Sequence, residues 1–264
     1  MKSDASFDHL DAGTPEEQWA DRPEWANAAD AEALVRAAAA ILVISAHPDD
    51  ETLGVGGLAA QAADLGLPVH FLLATDGEAS HPRSPTHRPA DLARLRVSEY
   101  DAAVDHLVSG AGRTRLGLPD GDLNRNGQAL AEGIEAALRE MGADAQGKAD
   151  RDVLLVAPWQ GDRHPDHAAA GAAAAAVAAR HRNLTAWEYP IWLWHWGRPP
   201  EVPWAHLAVL RLTAAAAARK AEALRMHRSQ IEPLSDQPGD EVLIAAPVLA
   251  HFRRPFDVLI AAGH

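Results

Sequence analysis

The chain contains no cysteine. Disulfides and thiolate metal sites are therefore excluded, and any bound metal must use imidazole and carboxylate. It is also poor in cations, with 24 Lys and Arg against 37 Asp and Glu and a formal net charge of -13. No Lys/Arg-rich run occurs. A polyanion binder needs a basic face, so nucleic acid and anionic membrane surfaces are excluded as partners. No apolar run approaches the ~20 residues that span a bilayer. The first residues are polar and acidic, with Pro15 and Pro23, and lack the basic-then-apolar order of a secretory signal. The expectation is a cytoplasmic protein without a membrane span. There is no internal repeat and no low-complexity linker.

What is present suits a globular enzyme. The 264 residues are 47% hydrophobic, enough for a core of normal size. There are 14 His, so nitrogen ligands are plentiful. Residues 1–30 read as an N-terminal arm that Trp19 and Trp25 could pin to the body. Residues 31–264 read as a single domain.

Within that domain, strand-like and helix-like segments alternate. Ile41-Leu42-Val43-Ile44 is short, apolar and β-branched, which is the pattern of a buried parallel strand. A helix over 52–65, closed by Gly66, follows. Further strands are expected at 69–74, 114–118, 153–157 and 184–187. Helices are expected at 31–40, 91–108, 128–141, 165–182 and 213–228. The helix from Pro165 is so rich in Ala that it must pack closely. Late strands or a hairpin are expected at 241–251 and 255–260. Such alternation implies right-handed crossovers and a mostly parallel sheet with helices on its faces, a Rossmann-like three-layer α/β fold. Ligands of such sheets bind at the carboxyl ends of the strands.

Two polar clusters fall at strand ends. In His47-Pro48-Asp49-Asp50-Glu51, a helical turn opened by Pro48 puts His47 and Asp50, three apart, on one side. Asp49 points elsewhere and is free to act as a base. In Asp162-Arg163-His164-Pro165-Asp166-His167, His164 or His167 can supply a third ligand while the other faces the substrate. Three protein ligands and an open position describe a catalytic zinc, with Fe²⁺ or another divalent ion an alternative. Such an ion brings the pKa of water toward ~7, and a nearby carboxylate can take the proton.

These two motifs resemble those of the LmbE/PIG-L family of zinc-dependent N-acetylglucosaminyl deacetylases. Weaker likenesses extend to Thr75-Asp76-Gly77-Glu78, Arg96-Val97-Ser98-Glu99, Leu116-Gly117-Leu118-Pro119-Asp120-Gly121, and Lys220 with His227-Arg228-Ser229-Gln230. The resemblance covers about residues 41–260. It implies that His47, Asp50 and His167 are metal ligands and that Asp49 is the general base. His164 would stabilise the oxyanion or assist the leaving amine, and Asp120 would contact the sugar. Apart from the resemblance, a neighbouring carboxylate, Asp166 or Asp49, is expected to keep His164 charged as an imidazolium. Some members carry a tyrosine shortly before the second motif. Here Trp159-Gln160-Gly161-Asp162-Arg163 has none, and Arg163 is the substitute on the substrate side.

Other features have blander readings. The aromatic run from Trp187 to Trp204 reads as packing or a subunit contact, so a homo-oligomer is compatible with it. Arg96 and Glu99 read as a helix ion pair, and the loop carrying His81, Arg83 and His87 as solvated. The activity expected is removal of an N-acetyl group from an amino sugar or its conjugate, a small-molecule substrate. The alternatives are an amidase for another N-acyl conjugate, such as a thiol-glycoside or glycosylated natural product, and a non-catalytic metal-binding module.

Overall fold

The computed structural model describes residues 11–142 and 152–263. Residues 1–10, part of the expected N-terminal arm, lie outside the described residues.

The core of the sheet is built from the apolar runs. β2 (Ala40–Ser45) is buried along its whole length between β3 (Val69–Thr75) and β5 (Val153–Pro158), parallel to both. A strand covered on both faces is largely apolar, which is why β2 and β5 read as near-continuous hydrophobic runs; β3 is interrupted by His70, whose Nε2 lies 2.8 Å from Thr114 Oγ1. β4 (Gly112–Leu118) pairs with β3 at one edge, and β6 (Leu184–Tyr189) with β5. Beyond β6 come β8 (Phe256–Ala261), antiparallel to both its neighbours, then β7 (Leu207–Arg211) and the two-residue β1 (Ala29–Asp30). Among the described residues the order is β1-β7-β8-β6-β5-β2-β3-β4.

Alternate residues of β2 face opposite layers. Ile41 and Val43 pack with Leu53, Val55 and Leu58 of α4 (Asp50–Asp64) and with Tyr100 and Val104 of α5 (Pro89–Leu107). Leu42 and Ile44 pack with Leu130 and Ile134 of α6 (Gly127–Glu140) and Ala170 and Ala174 of α7 (Pro165–Ala178). The three-layer α/β reading therefore holds. α7 approaches the end of β5 closely at Gly171, where a Cβ would stand 2.6 Å from the Pro158 carbonyl oxygen. Gly66 closes α4 at φ +77, the left-handed cap position that favours glycine.

Two expectations need correction. Residues 241–251 are not a strand: they are loop followed by α11 (Ala246–Ala250), which Pro247 opens. The helix expected over 213–228 divides into α9 (Ala214–Leu224) and α10 (Arg228–Ile231).

The segment before β1 is ordered by its tryptophans. It forms α1 (Glu17–Ala20) and α2 (Glu24–Asn27), and α3 (Glu32–Ala37) follows β1. Trp19 is fully buried against Trp194, in the short helix α8 (Leu193–Trp196), and donates its indole N–H to the Trp194 carbonyl. Packing, rather than solvent, thus accounts for Trp19, Trp25 and Trp194. Next to them, Glu16 accepts two hydrogen bonds from Arg254, at 2.7 and 2.6 Å, and one from His251 Nδ1 at 2.6 Å. Burial pushes the Glu16 carboxyl up, but Arg254 and His251 outweigh it, so the net shift from 4.5 is downward. A depressed folded-state pKa gives stability that is full above 4.5 and is lost as pH falls through the lowered value. Glu16→Gln is therefore expected to cost roughly 1–3 kcal/mol at neutral pH, with the gap from wild type closing on acidification. Urea unfolding at neutral pH and near pH ~3.5 checks this; a gap that does not shrink would refute the pairing.

Candidate metal centre and catalytic cavity

The chain runs from β2 to β3 on one side and from β5 to β6 on the other, with β2 and β5 adjacent. That makes the β2/β5 boundary a topological switch point, where the carboxyl ends of two strands open a crevice. The loops after β2, β3, β4 and β5 all converge there. A cavity of about 400 Å³ lies over it, lined among others by His47, Asp49, Asp50, Arg96, Asp120, Arg163, His164 and His167. The structure thus brings together every residue the sequence singled out for the site.

His167 and His47 are oriented by the same device. His167 Nδ1 stands 2.7 Å from Asp162 Oδ2, and its Nε2 is buried without a hydrogen-bond partner, 3.3 Å from Asp50 Oδ1. His47 Nε2 lies 3.2 Å from both Asp166 Oδ2 and Asp120 Oδ1, which turns Nδ1 toward Asp50 Oδ2 at 3.6 Å. A carboxylate on one ring nitrogen fixes the tautomer and leaves the other lone pair for a metal. Ligands ~2.05 Å from a tetrahedral ion stand ~3.3 Å apart, close to the two separations at Asp50. The orphaned His167 Nε2 and the all-N/O donor set fit a divalent ion such as zinc. The His47, His164 and His167 nitrogens also lie within 4.8 Å of one another, as do donor atoms of His47, Asp120 and Asp166. Asp166, however, already accepts the backbone N–H groups of Gly121 and Leu123, so it serves to orient His47 and the β4 turn.

Electrostatics follow from burial and these pairings. Burial pushes His167 down, but Asp50 and Asp162 raise it to about 9. Burial also disfavours charge on Asp50, yet His167 and His47 hold its carboxyl well below the ordinary range. Protons on the imidazoles and a cation therefore compete for one site, and metal binding releases protons. Asp49 differs from its neighbour: burial lifts its carboxyl to about 6, Arg96 opposes this and Asp50 adds to it. Asp49 is left as a carboxylate that can be protonated near neutrality.

His164 departs from expectation. Its Nδ1 accepts the Asp166 backbone N–H at 3.3 Å, capping α7. Burial, then His167 and His47, hold its pKa well below normal. Neither expected carboxylate keeps it charged, since Asp166 serves His47 and the β4 turn. It is a neutral imidazole whose Nε2–H is the donor. Arg163, at φ +58, lays its guanidinium 3.7 Å from the Trp196 ring centroid and 3.7 Å from Glu201, at the cavity rim. Asp120 accepts the Ala79 N–H, and its own N–H is held by Glu78.

Sequence reasoning missed three contributors. Arg96 does not pair with Glu99, which accepts from Ser229 instead. Arg96 donates to the Pro48 and Gly77 carbonyls and stands 3.4 Å from Asp49 Oδ2. Asp162 also accepts the N–H groups of Ile191, Trp192 and Leu193, tying His167 to the cavity wall. The five-residue spacing from Asp162 to His167 was the available signal. His81 is buried and bonded to the Glu241 carbonyl, so its loop is not simply solvated. Among the described residues no helix is long and apolar enough to cross a membrane.

A switch-point crevice holding a His/Asp donor cluster beside a buried carboxylate outside that cluster, Asp49, fits the class of metal-dependent hydrolases. Within it, the chain belongs to the PIG-L family, described as GlcNAc-PI de-N-acetylase, whose match spans residues 42–178. The 1D-myo-inositol 2-acetamido-2-deoxy-alpha-D-glucopyranoside deacetylase of Mycolicibacterium vanbaalenii is 30% identical over 248 residues, 75% of this chain and 83% of that protein. The conserved protein TT1542 from Thermus thermophilus is 28% identical with a TM-score of 0.52, covering 72% of this chain and 79% of that one. The N,N'-diacetylchitobiose deacetylase of Pyrococcus horikoshii shares the fold, with a TM-score of 0.58 at 20% identity, over 84% of this chain and 82% of that one.

Proposed function

We propose that this protein removes the N-acetyl group of an acetamido sugar or an N-acetylglucosamine-containing conjugate, with zinc held by His47, Asp50 and His167. The observation that carries this reading is the pairing of an orphaned, carboxylate-oriented His167 Nε2 with a spare buried carboxylate, Asp49, in one cavity. The printed name of the Mycolicibacterium relative, an acetamido-sugar deacetylase, supports the substrate class. The ion, when bound, supplies Lewis acidity toward the amide carbonyl and toward water.

The remaining steps belong to the chain's own residues. Asp49 accepts the proton of the attacking water, which its raised pKa suits it to do near neutrality. The same carboxyl then holds that proton for the leaving amine. His164 donates its Nε2–H to the carbonyl oxygen as charge develops there, a neutral donor in a buried site. Asp120 meets the sugar hydroxyls and Arg163 the outer part of the acceptor. Leu53, Ile191, Trp192 and Ile244 also line the cavity. This apolar wall favours, as a second reading, an N-acyl conjugate bearing an apolar aglycone, such as a glycosylated natural product.

A panel of N-acetylglucosamine, its inositol and chitobiose conjugates, and apolar glycosides, scored for acetate and free amine, tests the reading. Turnover is expected on at least one member. No acetate from any of them with zinc-loaded protein would refute it.

A further inference from the structure

We propose that Glu51 and His227 are positioning residues for Asp49: they hold the catalytic carboxylate in a strained backbone conformation that the chain would otherwise leave. The inference rests on Asp49 being the general base.

Asp49 has φ +131 and ψ −27, a region unfavourable for a residue with a Cβ. Such strain costs roughly 1–3 kcal/mol and persists only where the surroundings impose it. The surroundings here are specific. The Asp49 N–H points at Glu51 Oε2, 3.3 Å away, so the strained peptide is tied to a side chain two residues on. The Glu51 carboxylate is itself fully buried. Its Oε2 accepts from the Ser45 hydroxyl at the end of β2, and its Oε1 from the Thr52 hydroxyl at 2.6 Å. His227, also buried, reaches in from the far end of the chain. Its Nε2 is 3.0 Å from Thr52 Oγ1 and 3.4 Å from Glu51 Oε1.

Glu51 therefore joins the end of β2, the strained turn and the segment that opens α10. Neither Glu51 nor His227 lines the cavity, so neither can touch a substrate. An acceptor-only group facing four donors is also the one role for which glutamine is a poor replacement. An amide satisfies one side of the cluster and sets its own N–H against the donors of the other. On the opposite side of Asp49, Arg96 holds the Pro48 carbonyl and the carboxylate itself. The base is thus braced from both sides, through its backbone by Glu51 and through its side chain by Arg96.

The bracing predicts a signature that mere loss of stability does not produce. Glu51→Gln is expected to lower kcat roughly 10–10²-fold, as misplacing a reacting group by about 1 Å does. KM should stay within about 3-fold and zinc content unchanged, because the ligands are untouched. His227→Gln, which nearly preserves the side-chain volume and keeps an N–H donor, should show the same split to a smaller degree. The deciding comparison is a double-mutant cycle on the zinc-loaded enzyme. In an Asp49→Asn background, where no base remains to be positioned, Glu51→Gln should change the residual acetate release less than about 2-fold. Equal losses in both backgrounds, or a loss that tracks zinc content, would overturn the proposal while leaving the base assignment standing. Near-normal turnover in Asp49→Asn alone would instead overturn the base assignment on which it rests.

Discussion

Asp49→Asn is expected to keep its full metal content and lose about 10²–10⁴-fold in turnover, the usual contribution of a general base. The amide cannot accept a proton, yet it preserves the size of the group and its contact with Arg96. The backbone bond to Glu51 is also untouched by the change, so the strained turn should survive. The pH dependence has a definite sign. Only the carboxylate accepts a proton, so the wild-type rate should fall as pH is lowered through the range of Asp49. Burial raises that range to about 6, and a bound cation beside it draws it downward. The acid limb is therefore expected at or below pH about 6 and should be absent from the residual activity of Asp49→Asn. Steady-state rates across pH, with metal analysis of each preparation, check both parts. An Asp49→Asn enzyme with wild-type turnover would remove Asp49 from the mechanism.

His167→Ala should do the opposite, losing metal first and activity with it. Its Nε2 is the buried nitrogen left free by the Asp162 bond, and three protein ligands leave no redundancy. His47→Ala and Asp50→Ala should behave alike. Asp162→Asn is the graded case: the ligand remains, but its orientation weakens, so affinity for zinc should drop about 10–100-fold. Metal analysis after dialysis against a competing chelator reads all four. Unchanged occupancy in all three ligand variants would mean that the ion sits elsewhere, since both candidate donor groups include His47.

The parts of the site that lay within one short motif were legible from the sequence. The apolar runs at β2 and β5 announced buried parallel strands, and Pro48 and Pro165 marked the turns that follow them. Ligand type and spacing then marked His47 and Asp50 and left His164 or His167 as the third donor, and the family resemblance, not spacing, pointed to His167. What was not legible depended on partners distant in sequence. Arg96 was read with Glu99 because the two are three apart on a helix, yet each turns to a separate neighbour, Asp49 and Ser229, which only the packed structure supplies. His164 was expected to be charged because carboxylates flank it. Burial beside two other imidazoles reverses that. β7, Leu207–Arg211, was missed because it follows the Trp- and Pro-rich stretch, where the strand–helix alternation breaks down. It is fixed as a strand by pairing with β8 and β1. Residues 241–251 carry β-branched residues that suggested a strand, but Pro247 opens a helix there.

We propose that a metal ion at the β2/β5 crevice makes this chain a deacetylase. The direct measurement is acetate release from an N-acetylglucosamine conjugate by protein stripped of metal and then titrated with zinc. No release is expected from the stripped protein, and activity should rise to a plateau at about one ion per chain. Undiminished release from metal-free protein, or none at any zinc level with a substrate that a relative of known activity cleaves, would contradict it.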